Sequence, residues 1–466
     1  MGKIEKRKSG ERIVPHAYPP AQTDKADLDV GHGMLEGILL HLKTKPPLAV
    51  FLFITILSMG LVLLFHSLAQ KHFYFIYKMQ FGYDYGIIYR ASGEILTGIN
   101  PYDTLQQKYA PYPFPPIPAI LNIPLTYISH SLASVFISLL TFVSVVASIF
   151  LMHRVFTLSI NRVENKAMLL LIVLIPMFSF PFHFLFDRGN LDGFVILLTS
   201  LGVYFLTKES KRQEILAGLF LAVAISFKVY PILMVLPLVA MRRWRNLVSL
   251  GGFLICLILI APNLWMEWFE WTTSTRVSMF KTGANSSMAN TLFHFGELFG
   301  LGWPLKAVAM PLWGLLLFAM FCFDAVKMPK STVRKESVFA GLLFYIPFMV
   351  AVPELAYHYS LVCVLVLLPV LSYLWTNATR KERKILLFIT VGLIMNQFQA
   401  FAFEQLLSGM SLPRWITGSC AERFSGVCFP QWIPGLGLFI VMTGCVIYKL
   451  RYLYKPVTAD GSTKET

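Results

Sequence analysis

Long apolar runs separated by short polar segments recur along the chain from Leu48 almost to its C-terminus. Because a helix rises about 1.5 Å per residue, about 20 apolar residues cross the roughly 30 Å of hydrocarbon in a bilayer. The pattern predicts an all-α fold, a polytopic transmembrane helical bundle of about twelve spans. The predicted spans are 47-68, 130-152, 167-186, 191-207, 213-227, 229-241, 246-262, 307-326, 337-352, 359-375, 385-400 and 432-448.

Basic residues collect on one side of this division. With the N-terminus inside, about 29 of the 40 Lys and Arg residues fall in inner segments. The positive-inside rule therefore predicts that both termini are cytoplasmic. In this interpretation residues 1-46 form a cytoplasmic tail, residues 47-453 the transmembrane domain with a first outer loop at 69-129, and residues 454-466 a second cytoplasmic tail.

Composition agrees with a membrane protein, since 56% of the residues are hydrophobic and only 14% are charged. The formal net charge of +15 follows from the basic inner segments. No basic cluster alternates with aromatic residues on a soluble domain, so nucleic acid is not an expected partner.

Two segments depart from simple crossings. Residues 213-227 and 229-241 are each short for a span. A basic cluster precedes the first and another follows the second, and a single crossing would put these clusters on opposite sides, so a hairpin or re-entrant pair that turns at Lys228 is favoured. The proline-rich run from Pro113 to Pro124 is a poor spanning helix because interior prolines lose backbone hydrogen bonds. We expect it to form a loop that dips into the membrane.

Smaller features of the outer side carry less information. Trp265, Trp268 and Trp271 lie three residues apart, which is typical of a helix lying in the outer membrane interface. Cys420 and Cys428 fall in a predicted outer loop, where a disulfide and two free thiols are both open alternatives. No paired CxxC pattern occurs, so a structural zinc site is not expected.

Ionisable and amide side chains gather at the outer ends of the predicted spans and in the outer loops. Groups of this kind at membrane depth usually mark a functional site. They are Asp84, Glu94, Asp187, Arg188, Asn190, Asp192, Lys228, Arg276, Lys281, Asn285, Glu354 and His358.

Each of these residues also has a purely structural interpretation. Asp84 precedes a probable helix and could serve only as its N-cap, and Asn190 could cap the helix that follows it. Asp187-Arg188 could form a local ion pair, and Lys228 could extend its ammonium group toward the outer surface. His358 could be an interface aromatic residue.

The outer motifs follow one another in a recognisable order. They are Asp84 with Tyr89 and Ala91, Gly98-Ile99-Asn100-Pro101-Tyr102, Tyr109 and Tyr112-Pro113, then Gly189-Asn190, Ala217-Gly218-Leu219 with Lys228 and Pro231, Arg242-Arg243-Trp244-Arg245, Asn285-Ser286, and Tyr357-His358-Tyr359. This series resembles glycosyltransferase family 87, the polyprenol-phosphate-mannose-dependent mannosyltransferases of the GT-C superfamily. The likeness covers residues 80 to about 375.

The resemblance implies a GT-C fold with the active site at the outer end of a helix bundle. It implies a polyprenyl-phosphate sugar as donor, with mannose favoured, and a glycolipid or glycan as acceptor. The chain has no strand followed by GxGxxG, and a soluble nucleotide sugar is not ordinarily available outside the cytoplasmic membrane. We expect a multi-pass protein of a bacterial inner membrane, in contact with membrane lipids; the sugar, acceptor, linkage and oligomeric state stay open.

The resemblance also suggests roles for individual residues. Asp84 is the predicted general base of an inverting transfer, because a carboxylate within hydrogen-bond reach can take the proton of an acceptor hydroxyl. The residues predicted to bind the donor phosphate are Lys228, His358 and Arg188. Those predicted to position substrate hydroxyls are Tyr85, Asn190 and Asn285. No cofactor is expected, and no metal, because the first outer loop has one acid at the key position and no Asp-x-Asp pair.

A transporter or lipid flippase is the main alternative, since such proteins also combine many spans with a few buried charges. Transporters commonly show internal repeats with broken helices that meet at mid-membrane. The two halves of this chain show no convincing repeat, and its ionisable residues gather at one face. The sequence therefore favours glycosyl transfer.

Overall fold

Helices account for the regular structure in every part of the chain that can be described. The computed structural model describes residues 81–103, 112–156, 179–208, 210–274, 289, 291–293, 300–328, 335–351, 358–397 and 432–454. All of them belong to one unit, Phe51–Thr466. No strand occurs within these ranges, which confirms the prediction of an all-α protein.

Most of the described residues lie in α-helices, which we number in chain order. The α-helices are α1 (Tyr83–Leu96), α2 (Pro116–Asn122), α3 (His130–Phe156), α4 (Phe180–Arg188), α5 (Asp192–Leu206), α6 (Lys211–Phe227), α7 (Val235–Ala240), α8 (Trp244–Ile260), α9 (Pro262–Ser274), α10 (Gly302–Lys327), α11 (Lys335–Leu343), α12 (Ile346–Ala351), α13 (Leu367–Thr376), α14 (Arg380–Gln397) and α15 (Trp432–Tyr448). Three 3-10 helices cover Ile123–Tyr127, Tyr230–Met234 and His358–Val366, and a π-helix covers Lys449–Leu453, all within the described residues.

Helices long and apolar enough to cross a membrane are His130–Phe156 and Gly435–Leu453, among the residues that the structure describes. Two further spans are added if each sharply bent helix pair counts as one. These pairs are Pro181–Arg188 with Asp192–Leu206, bent by 112°, and Trp244–Ile260 with Pro262–Thr273, bent by 98°. The count of twelve spans and the cytoplasmic termini stay predictions, and spans 47-68 and most of 167-186 lie outside the described ranges.

The corner between α4 and α5 follows from its local sequence. Ser179 caps α4 by accepting a hydrogen bond from the Phe182 backbone N–H at 3.1 Å. Gly189 ends the helix in the left-handed conformation, with φ of 60°, which glycine adopts without steric penalty. The chain then turns and starts α5 at Asp192. Polar residues between two apolar helices are thus concentrated at a sharp corner.

A second interruption lies at Lys228, as the sequence predicts. Helix α6 ends at Phe227, and Lys228 has an extended backbone with φ of −149° and ψ of 135°. A 3-10 helix begins at Tyr230 with Pro231 in its first turn, where the missing N–H removes no helical hydrogen bond. The break lies at the predicted turn and presents Lys228 outside a helix, while the hairpin or re-entrant pair itself stays a prediction.

The proline-rich segment differs from its prediction as a loop. Residues Pro116–Asn122 form the short helix α2, with Pro116 and Pro118 in its first turn. Prolines there lie among the backbone N–H groups that have no partner within a helix, so they cost no hydrogen bond. The loop assignment was wrong for Pro116–Asn122, because it treated these prolines as if they lay in a helix interior, but seven residues are too few to span a membrane, as expected.

The described apolar residues pack into a large main core, a smaller cluster beside α1 and a pair formed by Ala289 and Phe293. The smaller cluster contains Tyr85, Ile88, Ala91, Tyr102, Tyr112, Phe114, Ala119, Ala133, Ile137 and Leu191. Trp268 and Trp271 of α9 pack against its edge. We call it the α1 cluster, and it positions the first described helix against the corner between α4 and α5.

Candidate functional site

A backbone contact joins the start of α1 to the corner between α4 and α5. The Gly82 N–H donates to the Asp187 carbonyl at 2.7 Å. Gly82 and Gly189 both have positive φ, and a Cβ placed on Gly189 would lie 3.0 Å from the Cβ of Tyr85. Two glycines therefore allow backbones about a hundred residues apart in sequence to approach closely. The result is that Asp84 faces the corner.

Asp84 lies in the first turn of α1 and is held by side chains from that corner. Asn190 Nδ2 donates to its Oδ2 at 2.9 Å, and Arg188 Nη1 lies 3.5 Å from its Oδ1. The N-cap of the helix is Gly82, so the interpretation of Asp84 as a simple N-cap is wrong. A carboxylate accepts about four hydrogen bonds, which leaves capacity for a substrate donor.

Arg188 is sandwiched between two aromatic rings. Its guanidinium carbon lies 5.0 Å from the ring centre of Tyr83 and 5.1 Å from that of Phe184. Cation–π contacts of this kind restrict a long side chain that would otherwise be mobile. The charge of Arg188 is therefore kept next to Asp84, 104 positions away in the sequence.

Asn190 connects the acid to the rest of the polar group. Its Oδ1 accepts from Lys228 Nζ at 3.0 Å and from the backbone N–H of Asp192 at 3.2 Å, while its Nδ2 donates to Asp84. Its carbonyl accepts from Thr141 Oγ1 of α3 at 3.2 Å. The N-cap of α5 is Leu191, with no side-chain cap, so the interpretation of Asn190 as that cap is wrong. Its carboxamide instead joins Asp84 to Lys228.

Lys228 turns inward from the break after α6. Its Nζ lies 2.9 Å from Asp192 Oδ1 in addition to its bond with Asn190, and 5.3 Å from the ring centre of Phe114. The side chain is 13% exposed. The ammonium group is thus paired within the protein and keeps a small accessible area.

Asp192 belongs to the outer set of ionisable residues named from the sequence, but the sequence assigned it no role in the site. It is fully buried and accepts from Tyr230 Oη at 2.6 Å and Ser360 Oγ at 2.7 Å, in addition to its pair with Lys228. The signal that placed it in that set is an acid at the start of an apolar span directly after Gly189-Asn190. Tyr230 and Ser360 had no comparable signal.

Tyr85 follows Asp84 but makes its contacts elsewhere. Its ring is buried in the α1 cluster, and its hydroxyl donates to Asn122 Oδ1 of α2 at 2.8 Å. Burial disfavours the phenolate and raises the pKa of Tyr85 to about 12, so the hydroxyl remains a donor. Asn122 in turn donates to Ser92 Oγ at 3.0 Å, which fastens α2 to α1.

The remaining predicted site residues are described only in part. His358 is the first residue of a 3-10 helix whose Ser360 bonds Asp192, and only its backbone position is described. Asn285 lies outside the described residues, as do Cys420 and Cys428. Within the described ranges, no group of three or more His, Cys, Asp and Glu side chains is arranged to hold a metal ion.

Aromatic residues between α1 and α2 lie beside Lys228. Tyr102 Oη donates to the Phe114 carbonyl at 2.9 Å, and Tyr112 Oη donates to the Pro115 carbonyl at 2.9 Å. Trp268 Nε1 of α9 lies 3.5 Å from the Pro113 carbonyl. These contacts fix the ring of Phe114 against the ammonium group.

Comparison with known proteins gives one family. The sequence model of glycosyltransferase family 87 matches residues 112–344, which is half of the 466-residue chain. The matched region contains Arg188, Asn190, Asp192 and Lys228, whereas Asp84 and His358 lie outside it. A search of curated proteins finds no significant match.

Proposed function

The chain belongs to glycosyltransferase family 87, and from that premise we propose that it moves a hexose, mannose being favoured, from a polyprenyl-phosphate donor to a lipid or glycan hydroxyl. The observation that carries the proposal is the contact of Asp84 with Asn190 and Arg188, next to Lys228. It brings a candidate base and candidate phosphate-binding cations into one polar group. Family membership does not favour the transporter alternative.

The proposed chemistry is a single inverting displacement. The acceptor oxygen forms a bond to the anomeric carbon of the sugar, while the bond from that carbon to the phosphate oxygen breaks. The electron pair of the broken bond leaves with the lipid phosphate, and Asp84 takes the proton of the acceptor hydroxyl. A base must lie within hydrogen-bond reach of that proton, and Asp84, 13% exposed at its side chain, has the access this requires.

Lys228 and Arg188 supply positive charge for the departing phosphate. Phosphate oxygens form strong, charge-assisted hydrogen bonds with ammonium and guanidinium groups in partly dry sites. The aromatic contacts of both cations reduce the reorganisation needed when charge develops. His358, at the start of the helix that contacts Asp192, is the third proposed phosphate ligand.

Asn190 and Asn285 are the proposed ligands of sugar hydroxyls. Asn190 lies between the proposed base, Asp84, and the proposed phosphate ligand, Lys228. In the proposed reaction the sugar ring binds between these two groups, next to Asn190. A direct contact of Tyr85 with the substrate stays a prediction. Its hydroxyl donates to Asn122, so a substrate would have to bind it as a donor to its oxygen or replace that bond. We further propose that the polar group faces the outer side of a bacterial inner membrane, where a lipid-linked donor reaches it from the bilayer.

The test is transfer by the purified full-length protein in lipid nanodiscs. Radiolabelled polyprenyl-phosphate mannose, glucose and arabinose are supplied as donors, and membranes from cells lacking the protein supply the acceptors. We expect transfer from a hexose donor with inversion at the anomeric carbon, read by NMR of the product. Retention of configuration, or no transfer from any lipid-phosphate sugar, would contradict the proposal.

Asp84→Asn is the matching variant, because it keeps the shape of the side chain and removes the base. We expect a loss of about 1,000-fold in kcat with little change in folding. Glu94→Gln on the same helix is the control, since Glu94 pairs with Arg90 and not with the corner. Equal activities of the two variants would remove Asp84 from the mechanism.

A further inference from the structure

Asp192 is fully buried, yet it connects three separate parts of the chain. It begins α5, and its partners are Lys228 after α6, Tyr230 in the next 3-10 helix, and Ser360 in the helix that His358 begins. A buried carboxylate is costly unless it is paired and hydrogen-bonded. Each of its oxygens has a partner, and they come from segments that no local sequence pattern brings together.

The partners of Asp192 lead directly to the proposed base. Lys228 Nζ bridges Asp192 Oδ1 and Asn190 Oδ1, and Asn190 Nδ2 continues to Asp84 Oδ2. All three contacts in this series measure 2.9 to 3.0 Å. The contact with Asp192 therefore helps to hold the Lys228 ammonium group at a fixed position relative to Asp84.

We propose that Asp192 is a positioning residue for glycosyl transfer. It fixes the Lys228 ammonium group relative to Asp84, and it does not itself touch the substrate. This inference rests on the proposed function of the site. It extends that function by assigning a role to a residue that lies behind the cations.

Burial separates the roles of the two carboxylates. Asp192 Oδ1 is occupied by Lys228 and Tyr230, Oδ2 is occupied by Ser360, and the residue has no exposed surface. An acceptor hydroxyl has no route to it. Asp84 keeps an exposed fraction and unused acceptor capacity, which is what a base requires.

The experiment compares Asp192→Asn with Asp324→Asn in the full-length protein. Asp324 is a matched control, because it is also fully buried and bonded to a lysine and two hydroxyl groups, but its network is separate from the site. Both variants are measured for kcat and for KM of the lipid-phosphate donor, per folded molecule. Thermal unfolding supplies the folded fraction.

We expect Asp192→Asn to lower kcat by about 100-fold, because a displaced Lys228 stabilises the leaving phosphate less in the transition state. The KM of the donor should change by less than about threefold, since the loss falls mainly on the transition state. Asp324→Asn should leave kcat per folded molecule unchanged. A purely structural role for Asp192 would lower the folded fraction and leave kcat intact.

A double variant tests whether Asp192 acts through Lys228. If it does, Asp192→Asn combined with Lys228→Met has the same kcat as Lys228→Met alone, because both changes remove the same interaction. Losses that multiply, or a kcat of Asp192→Asn within about threefold of the original, overturn the positioning role. A wild-type protein that uses no lipid-phosphate sugar overturns the proposed function itself, and that result is read before any variant is compared.

Discussion

Two buried polar networks in this protein are built from nearly the same residue types, an aspartate paired with a lysine and bonded to two hydroxyl groups, but they differ in their surroundings. In the first, Asp192 binds Lys228, Tyr230 and Ser360. In the second, Asp324 of α10 binds Lys449 at 2.6 Å, Tyr345 at 2.7 Å and Tyr454 at 2.8 Å. We call them the site network and the α10 network.

The two networks differ in the second contact that each lysine makes. Lys449 also donates to the Gly341 carbonyl at 2.9 Å and lies 4.3 Å from the ring centre of Tyr345, and neither it nor Asp324 is exposed. Within the part of the chain that the structure describes, the α10 network does not connect to the candidate site. Lys228 continues through Asn190 to Asp84, and both ends keep some exposed surface. A buried ion pair is therefore no sign of function by itself. What distinguishes the site network is its connection to a partly exposed carboxylate, Asp84.

Lys449→Met should produce the largest loss of stability in this comparison. The change leaves Asp324 as a buried charge without its cation, which costs about 3–5 kcal/mol in the free energy of unfolding. We expect a large drop in the thermal midpoint of the detergent-solubilised protein, with kcat per folded molecule unchanged. A changed kcat would show that the α10 network is coupled to the site.

Gly189→Ala should have an intermediate effect, and it acts on the backbone of the site. The left-handed conformation costs an alanine about 1–2 kcal/mol, and its Cβ would also press on Tyr85. We expect lower stability together with lower kcat, because the corner that carries Arg188 and Asn190 must shift.

Gly300→Ala is the control for this change. Gly300 also has positive φ, of 69°, but a Cβ there meets nothing within 4 Å. Its variant should lose a similar strain energy and keep full kcat. If both alanine variants retain the same kcat, the close approach at Gly189 is not needed for activity.

Tyr230→Phe and Tyr454→Phe are the mildest pair, since each removes one hydroxyl donor from a buried aspartate. Each should cost about 1 kcal/mol of stability. Only Tyr230→Phe should also lower kcat, by about fivefold, which corresponds to about 1 kcal/mol. Equal effects of both variants on kcat would erase the distinction between the networks.

Helix positions were largely predictable because apolar runs are local signals. The predicted span 130-152 corresponds to α3, and the predicted turn at Lys228 is the observed break. Long-range pairing was not predictable in this way. Ser360 meets Asp192 across 168 positions, and Asn190 meets Asp84 across 106, so neither contact leaves a periodic pattern.

The Asn190 carboxamide has a fixed orientation between Asp84 and Lys228. Its NH₂ group faces a carboxylate and its oxygen faces an ammonium group, and the reverse orientation would set like poles against each other. Aspartate at this position would lack the donor, and a leucine would lack both poles. The dipole of the amide therefore points from Lys228 toward Asp84. In the proposed reaction the acceptor proton is taken up at the Asp84 end of this dipole, and the phosphate departs at the Lys228 end.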